Sequence, residues 1–230
     1  MWFPMYTEFS QTMKESILFL SRCLIISTLK LRRVKNKTRG ITFIFSHKNM
    51  KKEIHRILNF WFEDCNSKDW FKKDKYFDNQ IKNNFGDQIE EALLGYYNHW
   101  ANSLESSLAL IILTDQFTRN VFRGTPRSFS GDNLALNTSL HYLNTFDISQ
   151  RNREKAHFTL IPLMHSENLR MQEMSLPLFR AHTSDNVYQY ALKHKNIIAR
   201  FGRFPHRNAI LGRTSTASEI EFLKNPGSSF

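Results

Sequence analysis

Three polar segments hold most of the side chains in this chain that could bind a ligand or transfer a proton. The first runs from residue 115 to 127, the second from 162 to 169 and the third from 200 to 213. Together they contain arginines, histidines and acidic residues. Guanidinium groups bind carboxylates and phosphates, and imidazoles exchange protons near neutral pH. The three segments are therefore the first places to look for a site.

The arginines of these segments are spaced for an anion site. Asp115 and Arg119 are four residues apart, so they lie on one face of a helix and can pair. Arg123 follows four residues later and places a second guanidinium on that face. In the third segment Arg203 and Arg207 flank aromatic residues, and guanidinium groups bind anions through paired hydrogen bonds. An internal ion-pair network is equally consistent with these arginines, because buried arginine is normally paired.

Proton transfer would fall to the histidines and their acidic neighbours. The catalytic candidates are His165, Glu167, His206 and Asp115, and the ligand-binding candidates are Arg119, Asn120, Arg123, Arg203, Arg207 and Asn208. The spacing of His165 and Glu167 does not match a helical pair of metal ligands, so the sequence predicts no metal. Ser166 is predicted to cap a helix, with Glu167 in its first turn. We expect no cofactor, because phosphate-loop and dinucleotide motifs are absent.

Helices must position all of these residues. Apolar side chains recur at helical spacing and no stretch alternates as a strand does, so the sequence predicts an all-α domain of about eight to nine helices. Gly86, Pro162 and Pro177 are predicted to end or kink helices. Thr216 and Glu219 have the spacing of a capping box before a short last helix. The predicted helices are 53–65, 77–85, 89–100, 108–122, 132–143, 153–160, 169–179, 188–201 and the one that begins near 216.

Composition separates the chain into two parts. Of 230 residues, 41% are hydrophobic and 20 are Phe, which is ample for a core. Cys23 and Cys65 have no paired spacing, which excludes a disulfide scaffold and favours a cytoplasmic protein. The formal net charge is +11, and residues 1–49 contain nine of the 32 Lys and Arg but two of the 21 acidic residues. Residues 50–230 are therefore only mildly basic, which disfavours nucleic-acid binding.

The first 49 residues are predicted to be a basic extension that is not part of the helical domain. Their apolar run, 17–29, contains Arg22 and is too short to span a bilayer. The basic cluster follows that run, whereas a secretory signal has its basic residues first. We expect either a disordered leader or a native start at Met50. A membrane-surface helix and an organelle-targeting segment remain alternatives.

From about Ile54 to Phe230 the chain resembles the bacterial domain-of-unknown-function 924 family (DUF924). The motifs are Phe60-Trp61-Phe62, the block from Asp115 to Asp132, His165-Ser166-Glu167, the block from Arg200 to Arg213 and the tail Pro226-Gly227-Ser228-Ser229-Phe230. Thr118 departs from the family, which usually has proline there. The resemblance implies a helical-hairpin, tetratricopeptide-like right-handed superhelix. It supports a start at Met50 and brings no established activity, so no catalytic residue is carried over.

Two functions are open at this point. The preferred one is a module that binds a peptide or protein partner in a groove, as other tetratricopeptide-like folds do, which is an analogy of fold. The alternative is a small-molecule site for an anionic ligand. In that case the arginines would hold the anion, and His165 or His206 with Glu167 would carry out hydrolase-type acid–base chemistry.

Overall fold

The computed structural model describes residues 47–229, with side chains from Met50 onward. The predictions about the N-terminal extension lie outside these residues, apart from its last three positions. Within the described range there are nine helices and no strands, which confirms the all-α prediction. The helices are α1 (His47–Asn59, continued by a π-helical turn, Phe60–Asp64), α2 (Ser67–Trp70), α3 (Lys75–Leu93), α4 (Leu104–Ile111, continued by a π-helical turn, Ile112–Phe117, and by Thr118–Val121), α5 (Asp132–Thr145), α6 (Arg153–His165), α7 (Leu169–His182), α8 (Asp185–Phe201) and α9 (Ala217–Leu223). None of the described helices is long and apolar enough to cross a membrane.

Helix α4 with its continuation to Val121 is the central element. Its residues 108–113 are entirely buried, as expected for a helix that is apolar on all sides. It contacts α1, α3, α5 and α6, and three consecutive pairs pack together, namely α5 with α6, α6 with α7 and α7 with α8. This pairing of consecutive helices agrees with helical hairpins, whereas the right-handed superhelix stays a prediction.

Aromatic residues build the larger core, between α1, α2, α4 and α6. The fully buried ring of Trp61 lies 5.5 Å from Phe117 and 5.5 Å from Phe158, measured between ring centroids. Trp70 meets the same Phe158 ring edge-on at 4.8 Å. Such pairs add about 0.5–1.5 kcal/mol each beyond the burial of their area. This cluster fixes α2 and α6, which carry two walls of the site described below.

Gly86 does not end a helix, contrary to the sequence prediction. Helix α3 runs through it to Leu93 and so joins the helix predicted at 77–85 to the first five residues of the one predicted at 89–100. The rest of the second predicted helix is a turn and the start of a 3-10 helix, Asn98–Asn102. Phe85 and Ile89, on either side of the glycine, are both buried. Burying two such side chains outweighs the cost of about 1 kcal/mol for glycine in a helix.

Pro162 and Pro177 also lie inside helices rather than at their ends. Helix α6 continues past Pro162 to His165, and α7 continues past Pro177 to His182. Residues 156–164 are all buried, whereas a proline within a helix costs about 3 kcal/mol. Packing therefore overrides the local preference, and in α6 the extra turn carries His165 to the site.

The helix caps agree with the sequence prediction in one place and differ from it in two. Thr216 and Glu219 form the predicted capping box at the start of α9. Ser166, in contrast, ends α6, and Asn168 caps α7 by accepting hydrogen bonds from two backbone N–H groups. Asp132 lies at the first position of α5 instead of at its cap, which is Gly131. The side chain of Asp132 is consequently available for the ion pairs of the site.

Candidate functional site

A π-helical turn places Asp115 inside the protein. All six residues of the turn, from Ile112 to Phe117, are buried, and Asp115 is fully enclosed. Within it, the Thr114 carbonyl accepts a hydrogen bond from the Thr118 hydroxyl at 2.8 Å. A π-helical turn inside an α-helix frequently marks a functional site. Here the π-helical turn directs Asp115 toward arginine and histidine side chains, including His165 of another helix.

Gly131 lets the next segment of chain approach this turn closely. A Cβ atom on Gly131 would lie 2.0 Å from the Thr114 carbonyl oxygen, far inside any ordinary contact. Only glycine therefore fits at this position without displacement of the backbone. The close approach places the following residue, Asp132, beside Arg119.

Asp115 is paired with His165. The imidazole Nδ1 lies 2.9 and 3.0 Å from the two carboxylate oxygens of Asp115, and Arg119 Nη2 lies 3.4 Å from one of them. Burial alone would raise the pKa of Asp115, but His165 and Arg119 hold that pKa below its usual value. Asp115 is therefore an ionised carboxylate that orients an imidazole.

His165 is neutral at physiological pH. Burial lowers its pKa, and this outweighs the opposing effect of the Asp115 charge. Because the acceptor Asp115 faces Nδ1, that nitrogen carries the proton. Nε2 is then the unprotonated nitrogen, and it lies on the side of the ring away from Asp115. His165 also lines the neighbouring cavity.

Two arginines share one carboxylate next to this pair. Arg119 Nη2 lies 3.0 Å from one oxygen of Asp132, and Arg207 Nη1 lies 3.1 Å from the other. Arg207 also donates to the backbone carbonyl of His165 at 3.0 Å. Its guanidinium lies 4.7 Å from the Phe129 ring centroid and 4.6 Å from that of Phe204. Burial lowers the pKa of Arg207 to about 10, which leaves it positively charged at neutral pH.

These groups adjoin a cavity of about 500 Å³. Arg119, His165, Arg207 and other polar residues share its wall with aromatic and aliphatic side chains. The lining residues are Trp70, Phe71, Lys72, Lys73, Gln116, Arg119, Asn120, Arg123, Phe129, His157, Ile161, Met164, His165, Asn186, Val187, Tyr190, His194, Phe204, His206, Arg207 and Ser229. Cavities of this size hold small organic molecules.

Three further histidines line the cavity, and burial keeps them neutral as well. It lowers the pKa of His157 to about 4, that of His194 to about 3 and that of His206 to about 4. His194 uses Nδ1 to contact the Tyr190 carbonyl at 2.8 Å. These three imidazoles therefore contribute no charge to the cavity at neutral pH.

Comparison with known proteins shows the family of this chain. The family model described as "Bacterial protein of unknown function (DUF924)" matches residues 57–227. The chain belongs to the DUF924 family. It is also similar to the solved structure of the protein of unknown function ATU0120 from Agrobacterium tumefaciens, with 32% sequence identity and a TM-score of 0.72. That similarity covers 76% of this chain and 98% of the other. None of the curated proteins matches the chain.

Seven of the ten sequence-predicted site residues meet at the cavity of this DUF924 domain. Six line it, namely Arg119, Asn120, Arg123, His165, His206 and Arg207, and Asp115 lies behind His165. Near the side formed by α3 and α4, Arg123 donates to Asp78 at 2.7 and 2.8 Å, and Asn120 donates to the same carboxylate at 2.9 Å. These predicted residues therefore share one location, although their roles stay predictions.

The other three predicted residues belong to a separate polar network that holds the segment 200–213. Glu167 accepts from Arg213 at 2.6 and 2.9 Å and from the backbone N–H of Phe204 at 2.8 Å. Arg203 pairs with Glu219 at 2.7 and 2.8 Å. Asn208 contacts Arg213 at 2.9 Å. Glu167 is thus held by Arg213 and by a backbone N–H, and its predicted role in proton transfer stays a prediction.

Sequence reasoning did not find several residues in the wall or directly behind it. Behind the wall, Asp132 was considered only as a helix cap, and in the wall nothing in the local sequence marks His194 or Tyr190. The signal for His157 is that it shares a helix with His165. Within the described part of the DUF924 domain, no group of three or more His, Cys, Asp or Glu side chains could hold a metal ion.

Proposed function

We propose that this domain binds a small organic molecule with a single negative charge and an apolar body. The observation that carries the proposal is the charge around the cavity. No Asp or Glu lies among the described lining residues. Five cationic side chains do line the wall, namely Lys72, Lys73, Arg119, Arg123 and Arg207. Four carboxylates behind the wall pair with four of these cations, namely Asp74, Asp78, Asp115 and Asp132. One positive charge is left over, which a monoanion would balance.

The charged end of the ligand fits the end of the cavity where Arg119 and Arg207 lie. Guanidinium groups present several N–H donors in a fixed plane and match the geometry of a carboxylate. Asp115 and Asp132 already balance these two guanidinium groups, so the charge of the ligand has to match the single surplus charge of the whole wall, and a dianion would exceed it. A monoanion brings the charge that the wall as a whole lacks.

The remainder of the wall is suited to an apolar body. Phe129 and Phe204 flank the arginines, and Ile161, Met164 and Val187 extend the apolar surface. Ligand cavities commonly combine such surface with a few polar groups that fix orientation. The proposal thus favours the small-molecule alternative of the sequence analysis, and the groove for a peptide partner stays a prediction.

The charge requirement can be measured with three compounds of equal carbon count: hexanoate, its neutral amide hexanamide and the dianion adipate. Isothermal titration calorimetry on the full chain at pH 7 should show hexanoate binding at least about tenfold more tightly than either other compound. A factor of ten corresponds to about 1.4 kcal/mol. Equal affinities for hexanoate and hexanamide would contradict the proposal, because charge would then play no part.

Two lysines provide a matched pair of variants. Lys73 is exposed, lines the cavity and makes no ion pair with a described carboxylate. Lys75 is exposed as well but is not among the lining residues. Lys73→Gln should weaken hexanoate binding and Lys75→Gln should not, while both proteins keep the thermal stability of the wild type. An identical affinity for hexanoate in the two variants would argue against the surplus charge as the cause of binding.

A further inference from the structure

The orientation of His165 gives the cavity a group that can accept a proton. Its Nδ1 is held at 2.9 and 3.0 Å by the oxygens of Asp115, which is fully buried. His165 itself lines the cavity, where Nε2 can meet a ligand or water. A histidine whose second nitrogen is fixed by a carboxylate is the usual form of a general base.

The described wall contains few side chains that could serve as a nucleophile. It has no cysteine and no threonine, and its one serine, Ser229, makes no hydrogen bond to His165. The oxygen nucleophile that His165 can activate is then a water molecule. The two guanidinium groups of Arg119 and Arg207 lie close by, where they can stabilise negative charge that develops on an oxygen.

We infer that this domain hydrolyses neutral carboxylic esters with an apolar acyl group, with His165 as the general base and Asp115 as the residue that positions it. The inference rests on the proposed function, because the carboxylate product is the monoanion that the cavity binds. A neutral ester acquires one negative charge in the tetrahedral intermediate. The N–H donors of Arg119 and Arg207 bind that charged intermediate more strongly than the neutral substrate, which is the condition for catalysis.

The reaction balances without any other reactant. A proton passes from water to His165 Nε2 while the water oxygen forms a bond with the acyl carbon. The electron pair of the carbonyl double bond moves to its oxygen, where Arg119 and Arg207 can donate hydrogen bonds. When the carbonyl re-forms, the bond to the ester oxygen breaks and its electron pair leaves with the alcohol. His165 gives the proton to that oxygen, and the acid ionises to the bound carboxylate.

The test uses 4-nitrophenyl hexanoate as the ester, because its product is the hexanoate of the binding experiment. His165→Gln keeps a polar side chain of similar size but removes the base, and we expect kcat to fall by about 100-fold or more. The matched control is His141→Gln, since His141 is exposed on α5 and is not among the lining residues. Its kcat should equal that of the wild type. Hexanoate should still bind to His165→Gln, which shows that the variant is folded.

The possible outcomes separate the two proposals. Hydrolysis that is equal in wild type and His165→Gln, or absent in both, overturns the inference. If hexanoate still binds in that case, the proposed function stands alone. If hexanoate does not bind to the wild type, the proposed function fails whatever the rate of hydrolysis. A hexanoyl group found on the protein by mass spectrometry of an acid-quenched reaction would show direct attack by a side chain and would overturn the activation of water.

The role of Asp115 has its own readout. Asp115→Asn removes the charge that orients His165 but keeps the shape of the side chain. We expect kcat to fall while KM changes little, because the ester itself does not contact Asp115. A change confined to KM, with kcat unaltered, would overturn the positioning role. Circular dichroism of the variant distinguishes this result from a loss of fold.

Discussion

Replacement of Gly131 by alanine should destabilise the domain and disturb the site together. An added Cβ would lie 2.0 Å from the oxygen, 2.8 Å from the carbon and 3.0 Å from the Cα of Thr114. These atoms belong to the backbone of the π-helical turn, so no side-chain rotation can relieve the overlap. Either the turn or the start of α5 must move by more than about 1 Å, and overpacking of this kind typically costs about 1–3 kcal/mol.

The same substitution at Gly86 supplies the control, with the opposite sign. A Cβ at Gly86 meets no atom within 4 Å, and the residue lies within α3. Alanine is favoured over glycine inside a helix by about 0.5–1 kcal/mol, so Gly86→Ala should stabilise the protein. In a domain of this size 1 kcal/mol moves Tm by about 2–4 °C. We therefore expect Tm to fall by about 2–12 °C in Gly131→Ala and to rise by about 1–4 °C in Gly86→Ala.

Differential scanning calorimetry of the two variants tests this reasoning, and hexanoate titration tests its link to the site. Displacement of α5 would move Asp132 away from Arg119 and Arg207, so hexanoate affinity should drop in Gly131→Ala only. A Tm for Gly131→Ala equal to or above that of the wild type would refute the argument. It would mean that the Thr114 carbonyl does not restrict the chain at Gly131.

Two further predictions concern stability. Because the pKa values of His157, His194 and His206 are lowered to between about 3 and 4, the unfolded chain takes up protons near pH 6.5 while the folded protein does not. The free energy of unfolding should therefore be highest above pH 6.5 and fall toward pH 4, by about 1.4 kcal/mol per pH unit for each histidine. Urea titrations at pH 7 and pH 5 measure this, and equal stability at the two values would contradict neutral buried histidines. Thr216→Ala, which removes one half of the capping box of α9, should cost about 1 kcal/mol in the same assay at pH 7. No loss of stability there would show that α9 does not depend on its cap.

The sequence was sufficient for the fold class and for several local features. Apolar residues at helical spacing, such as Ile54, Ile57 and Trp61, are a local property of the chain, and they produced the expected helices. The capping box of Thr216 and Glu219 spans four residues and was also recognised correctly. The helix ends predicted from single helix breakers at Gly86, Pro162 and Pro177 were wrong, whereas the kink that was the alternative at Pro177 stays a prediction. At these positions the decisive energy is burial of neighbouring residues against other helices, which local sequence does not reveal.

For the candidate site, too, the sequence predicted some features and missed others. The sequence identified polar segments that contain Asp115, His165 and Arg207, because charged and imidazole side chains are conspicuous in any sequence. It grouped Glu167 with the histidines but did not reveal that Glu167 pairs with Arg213. It did not assign a site role to Asp132, which joins Arg119 to Arg207.

Residue types and spacing along the chain determined which elements form and which chemistry is available. The pair of Asp115 with Arg119 follows from helical spacing, but the other partners in the site were decided only by the tertiary structure. Arg207, for example, contacts the His165 carbonyl and Asp132, which lie 42 and 75 positions away along the chain. Electrostatic pairing depends on distance in space and on burial, and both are fixed only when the helices pack. For that reason the surplus charge of the cavity could be counted only after the fold was known.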